Sequence, residues 1–89
     1  MGTCYTVYLL DTFGFEYVNR SPEYVINKLK ERFPYSKPVH HGNMITFDAD
    51  KRYPESADFI EFVYSLCDAA YYQTDNNCDM NPIPFEARP

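Results

Sequence analysis

The stretch that decides the fold is residues 3–10, TCYTVYLL. It is rich in β-branched and aromatic residues, and its apolar side chains fall at both odd and even positions. That pattern is typical of a strand that is covered on both faces, so we predict a central β-strand here. Residues 11–14, DTFG, then supply a turn. Residues 15–18 are predicted to pair back on the first strand as a short second strand of a hairpin.

A helix start follows at residues 19–23, NRSPE. Ser21 can accept a hydrogen bond from an unpaired backbone N–H, Pro22 suits the first helical position, and Glu23 is favoured by the helix dipole. Apolar residues at helical spacing continue to Phe33, and Pro34 ends the helix because its ring and missing N–H are incompatible with continuation. The solvated side of this helix is predicted to carry Lys28, Lys30, Glu31 and Arg32.

Residues 38–48, PVHHGNMITFD, hold two β-like runs around Gly42-Asn43. This pair resembles a two-residue hairpin loop with glycine first, and a single bent strand is the alternative.

The second helix is predicted to begin near Ser56, where the helical periodicity is clearest. Its apolar residues fall at i, i+3, i+4, i+7, i+8 and i+11, namely Phe59, Phe62, Val63, Leu66, Cys67 and Ala70. The opposite stripe has no basic residue and consists of Asp58, Glu61, Ser65 and Asp68.

Residues 73–89 are predicted to form an irregular C-terminal segment, because a polar, turn-rich stretch leads into Pro82 and Pro84. Ile83 and Phe85 are expected to pack against the core. The whole chain, 1–89, is predicted to be one α+β domain. We expect a small antiparallel or mixed β-sheet of three to five strands with two α-helices on one face, in a split βαβ-like arrangement.

Composition narrows the functional classes. Hydrophobic residues make up 45% of the chain and its apolar runs are short, which indicates a packed globule and not a membrane-spanning helix. Residues 1–6 lack the features of a secretory signal, so we expect a cytoplasmic protein. The three cysteines have no CxxC spacing, which argues against a disulfide framework and a zinc knuckle. No cofactor is predicted.

Charge is distributed unevenly. The net charge is −5: residues 1–37 carry five basic and four acidic side chains, and residues 38–89 carry three basic and nine acidic ones. An acidic second half disfavours direct contact with nucleic acid or anionic membranes, because both reward neutralisation of phosphate by Lys and Arg. A partner protein with a basic surface is attracted instead.

Two local features are candidates for a chemical site. His40-His41 could act on a metal or as a base, but adjacent strand residues point to opposite faces and no ligand set lies nearby. Cys78 lies in a polar stretch without the signature of a nucleophile.

The three glycines stand singly, so no phosphate-binding loop is predicted. We predict no catalytic residues and no metal site.

The leading hypothesis is a non-catalytic, acidic protein-binding domain that docks on a basic, nucleic-acid-binding surface of a partner enzyme. Inhibitors of host defence enzymes encoded by phages or other mobile elements are analogous in size, charge and lack of catalytic motif. One alternative is a small-molecule-binding regulatory domain, and a second is a small enzyme that uses His40 or His41. The predicted partner-binding residues are Asp58, Glu61, Tyr64, Asp68, Tyr72 and Asp75.

Overall fold

The computed structural model describes residues 4–16, 20–50, 57–74 and 77–83. Within these residues, five strands and two helices follow one another as β1 (Cys4–Leu10), α1 (Pro22–Arg32), β2 (Val39–His41), β3 (Met44–Asp50), α2 (Ala57–Tyr64), β4 (Ala69–Thr74) and β5 (Asn77–Pro82). The strands form one sheet in the order β2-β3-β1-β4-β5, and every neighbouring pair is antiparallel. The predicted α+β class and the central position of β1 are confirmed.

Two split βαβ units interleave in this sheet. Helix α1 connects β1 to β2 with β3 lying between them, and α2 connects β3 to β4 with β1 lying between them. Strand β5 extends the sheet beyond β4. The split βαβ arrangement predicted from the order of elements is therefore present, with one additional edge strand.

The hydrophobic core lies between one face of the sheet and both helices. Odd-numbered residues of β1 and β3 point into it, since Val7, Leu9, Ile45 and Phe47 are buried while their neighbours are less so. The helices contribute Val25, Leu29, Phe59, Ile60 and Val63. Aromatic rings join the layers: Phe33 stacks on Phe47 with centroids 5.9 Å apart, and Phe59 lies 5.7 Å from Phe33. Side chains of this size each contribute about 1.5–3 kcal/mol when fully buried.

Helix α1 begins and ends where its local signals predict. Ser21 caps it, with its Oγ accepting the N–H of Tyr24 at 3.2 Å, and Pro22 occupies the first turn. Phe33 is the C-terminal cap, and its N–H bonds to the carbonyl of Leu29 at 2.7 Å.

The hairpin around Gly42-Asn43 is also confirmed. His41 pairs with Met44, which leaves a two-residue loop. Gly42 has φ +59°, a conformation that glycine adopts without steric cost at the first central position of such a loop.

The hairpin strand predicted at residues 15–18 is wrong for the described part of that segment. Phe15 and Glu16 are not in a strand, and residues 17–19 lie outside the described residues. Both edges of β1 are already taken by β3 and β4, so no edge remains for a neighbour from this loop. Phe15 instead turns inward with φ 63° and is almost completely buried.

Helix α2 is shorter than its periodicity predicts. It ends at Tyr64, a turn follows, and Ala70 belongs to β4. Leu66, Cys67 and Ala70 are nevertheless all buried. Leu66 and Cys67 reach the core from the connection between α2 and β4, and Ala70 reaches it from a strand. The apolar character of these three residues therefore does not require a helix.

The prediction of an irregular segment at residues 73–89 is also wrong in its first part, because β4 and β5 form an antiparallel hairpin. Pro82 ends β5 at the sheet edge, a position where a missing N–H is tolerated. Ile83 packs into the core as predicted and donates its N–H to the carbonyl of Ala70 at 2.9 Å, while Phe85 lies outside the described residues. Across the described ranges, neither helix has the length and apolarity that crossing a membrane would need.

Candidate interaction surfaces

Two of the predicted partner-binding residues lie together on the surface. Asp58 and Glu61 are exposed and one turn apart on α2. Together with Phe62 and Ser65 of the same region and Arg32 at the end of α1, they line a groove of about 430 Å³. We call this the α1–α2 groove.

An aromatic ring forms part of that groove. Phe62 is half-buried and meets Phe33 edge-on, with centroids 5.7 Å apart. The guanidinium of Arg32 lies over the Phe62 ring, 4.7 Å from its centroid, which is a cation–π geometry. Helix α2 itself carries no basic residue, as predicted. The end of α1, however, places Arg32 in the same groove as Asp58 and Glu61.

Asp68 is held inside a network and does not continue the acidic stripe of α2. It follows the end of that helix, and its carboxylate accepts the Thr12 N–H and an Arg20 Nη1 hydrogen, both at 2.8 Å. Hydrogen bonds from the backbone and the side chain of Thr12, followed by the hydrogen bond from Arg20, lower the pKa of Asp68. Arg20 also lies 3.6 Å from Asp11, whose side chain is completely buried. The charge of Asp68 is therefore largely compensated within the chain.

The two predicted tyrosine anchors take part in packing. Tyr64 donates its hydroxyl hydrogen to the carbonyl of Ile83 at 2.5 Å, and burial raises the pKa of this tyrosine. Tyr72 stacks on Tyr5 with centroids 4.9 Å apart and packs against the core. Asp75 lies outside the described residues. Of the six residues predicted to bind a partner, the structure brings Asp58 and Glu61 together on one exposed surface.

His40 and His41 point to opposite faces of the sheet, as their adjacent positions on β2 require. The His40 ring meets Phe15 edge-on at 6.1 Å, and its Nε2 lies 2.6 Å from the carbonyl oxygen of Gly42. Among the residues that the structure describes, no three His, Cys, Asp or Glu side chains are grouped as metal ligands would be. The side chain of Cys78 lies outside the described set.

The sheet face opposite the helices is a second surface, which sequence reasoning did not single out. We call it the open face. The pairing register places three rows of side chains on it: Val39, Thr46, Tyr8, Tyr71 and Pro82 in the middle; His41, Met44, Leu10 and Ala69 on one side; and Asp48, Thr6 and Gln73 on the other. The Tyr8 hydroxyl donates to Gln73 Oε1 at 2.6 Å across the two central strands.

Few of the side chains described on the open face are charged. Asp48 is the described residue there that carries a carboxylate, and Val39 is 46% exposed. Thr6, Tyr8 and Leu10 of β1 are partly exposed. Among the described residues, the cover that was predicted for both faces of this strand is therefore found on the helix side. The apolar residues at both parities of β1 were the sequence signal for this surface.

The chain matches no model of a known protein family, no curated protein and no solved structure. A small α+β architecture hosts many unrelated functions. The function is therefore inferred from the chemistry of the two surfaces.

Proposed function

We propose that this chain is a non-catalytic protein-binding domain that receives a basic side chain of a partner protein in the α1–α2 groove. The observation that carries the proposal is the combination, in one groove, of the carboxylates of Asp58 and Glu61 with the ring of Phe62.

Each part of the groove suits a guanidinium group. Helical residues three apart have Cβ atoms about 5–6 Å from each other, so Asp58 and Glu61 can both contact one bound cation. Hydrogen bonds between such charged groups are shorter and stronger than neutral ones. Arg32 already lies on the Phe62 ring, which supports the idea that this ring accepts a guanidinium.

The net charge of −5 favours the same class of partner. A negative protein is steered toward a positive surface and raises the rate of encounter, most strongly at low salt. Nucleic-acid-binding enzymes present such surfaces, because they neutralise phosphates with Lys and Arg. We propose that occupation of such a surface inhibits the enzyme, in the manner of small acidic inhibitors encoded by phages or other mobile elements.

The experiment measures binding of an arginine-rich peptide by calorimetry at several salt concentrations. Asp58→Asn combined with Glu61→Gln should weaken binding roughly 5- to 30-fold, since each exposed charge pair contributes up to about 1 kcal/mol. Arg32→Gln should tighten it a few-fold, because the native cation no longer competes for the Phe62 ring.

The matched control replaces Glu23 and Glu31, two exposed carboxylates of α1, by glutamine. It changes the net charge by the same amount as the double variant in the groove. Equal weakening by the two double variants would mean that net charge alone drives binding, and the proposed groove would then be rejected. Recovery of a nucleic-acid-binding enzyme on the tagged chain at low salt, lost in the groove variant but kept in the control, would support the inhibitory role.

A further inference from the structure

We infer that the open face binds the open face of a second copy of this chain, which makes the protein a symmetric homodimer. The open face lies across the sheet from the helices that form the α1–α2 groove, so the inference does not rest on the proposed function.

The first argument comes from the chemistry of the open face. Most of its central positions are apolar or aromatic, including Tyr8, Leu10, Met44 and Tyr71, in a chain of which 24% is charged. A basic partner finds little charge to pair with there. A surface that is equally poor in charge is the better match, and a second copy supplies one. Strand β1 has the sequence pattern of a strand that is covered on both faces. Contact with the open face of a second copy would cover its second face.

The second argument concerns area. Five strands spaced about 4.8 Å apart, with three same-face residues along each central strand, span roughly 24 by 20 Å. Two such faces remove on the order of 1,000 Å² of surface from solvent, which is near the lower limit for a specific interface. The dimer is therefore expected to be weak and to depend on protein concentration.

The third argument is the symmetry of the rows. A two-fold axis parallel to β1 places the apolar row with Met44, Leu10 and Ala69 on the same row of the second copy. Tyr8 then faces Tyr8, and Val39 of β2 faces Pro82 of β5 in the second copy. A two-fold axis across the strands would instead place that apolar row on the row that carries Asp48, which puts a carboxylate against apolar side chains.

Electrostatics agree with the axis parallel to β1. Asp48 lies one strand from β1, so the two copies of Asp48 fall on opposite sides of the axis. With sheets about 10 Å apart, the Cα atoms of the two Asp48 residues are about 14 Å apart, so the two carboxylates do not face each other directly.

The sheet edges are less suited to self-association than the open face. Strand β2 has three residues, and β5 carries Pro82 and an irregular register opposite Tyr72 to Thr74. Short strands, proline and bulges are the features that discourage pairing between edges. We therefore expect association through faces and not through edge strands.

Salt is expected to have opposite effects on dimerisation through the open face and on binding of a basic partner in the α1–α2 groove. Two copies that each carry −5 repel one another at long range, and added salt screens that repulsion. Salt should therefore strengthen the dimer, whereas it should weaken binding of a basic partner in the groove.

The test is sedimentation equilibrium of the full chain over a range of protein and salt concentrations. The expected result is a monomer–dimer equilibrium that shifts toward the dimer as salt rises. Tyr8→Lys and Thr46→Lys place a cation at the centre of the open face, and each should raise the dissociation constant at least tenfold. Two positions are used because Tyr8 is partly buried and its variant could fail to fold, which circular dichroism monitors.

The matched control is Tyr35→Lys, which makes the same change of charge at a residue 90% exposed in the turn after α1. It should leave the dissociation constant unchanged. A wild-type chain that stays monomeric at every concentration would overturn the inference, and so would a dimer that persists in both folded open-face variants. The groove variant Asp58→Asn/Glu61→Gln should still dimerise, so this outcome is independent of the peptide-binding result.

Discussion

Removal of the guanidinium of Arg20 is expected to destabilise the fold strongly. The Asp11 side chain is completely buried, and its Oδ1 accepts the N–H of Phe13 at 2.8 Å. Its Oδ2 accepts no hydrogen bond from the described residues and has Arg20 Nη1 at 3.6 Å. Arg20→Met keeps most of the aliphatic stem and leaves this carboxylate without its counter-charge.

The magnitude follows from the burial of the two partners. Breaking a fully buried ion pair by removing one partner costs about 3–5 kcal/mol. Arg20 is 23% exposed, so water reaches the site and reduces that penalty. The more exposed pair with Asp68 adds at most about 1 kcal/mol. We expect a net loss of about 3 kcal/mol, from a total stability on the order of 4–13 kcal/mol for a chain of this length.

Urea unfolding followed by circular dichroism measures this loss, and the thermal midpoint should fall by about 12–24 °C. Arg32→Met is the matched control at the C-terminal end of α1, where the exposed guanidinium lies over the Phe62 ring, and it should cost about 1 kcal/mol or less. The double variant Asp11→Asn/Arg20→Met should be more stable than the sum of the single effects implies. A loss below about 0.5 kcal/mol for Arg20→Met, or strictly additive effects, would refute the proposed role of Arg20.

Two further predictions concern titratable groups. The pKa of Asp68 is lowered from its ordinary value of 3.8, so its stabilising effect is complete above that value and is lost as the pH falls through the lower folded pKa. Asp68→Asn should remove this part of the acid-induced loss of stability in urea titrations, and an unchanged pH profile would contradict the assignment. Burial raises the pKa of the Cys67 thiol to about 12, and its Sγ donates to the carbonyl of Val63 at 3.1 Å. Alkylation mapped by mass spectrometry should therefore modify Cys67 only after denaturant is added, and rapid labelling of the native protein would count against this burial.

The elements that sequence reasoning predicted correctly depend on local chemistry. The composition of residues 3–10 indicates a strand, Ser21 and Pro22 start α1, and Gly42 allows the tight hairpin loop. Each of these signals lies within a few residues of the structure it specifies. Neighbouring side chains and backbone groups are sufficient to produce them.

The errors arose where distant contacts decide the conformation. The apolar spacing from Phe59 to Ala70 fits a helix, but pairing of Ala70 with Leu9 of β1 places it in a strand. The hydrogen bonds of β4 to β1 and β5 therefore outweigh a helical continuation. Pro82 favours irregular structure by its local chemistry, although an edge strand tolerates it.

Sequence alone determined the acidic balance of this protein, the segments that can enter its core and the class of its fold. Tertiary structure alone decided which charged and aromatic side chains remain accessible. Arg20 compensates Asp68 from 48 residues away, and the Ile83 carbonyl engages Tyr64 from 19 residues away. Packing of α1 beside α2 places Arg32 against Phe62. The physical reason is that charge compensation and burial depend on distance in space, which the chain sets only when its sheet pairs residues far apart in sequence.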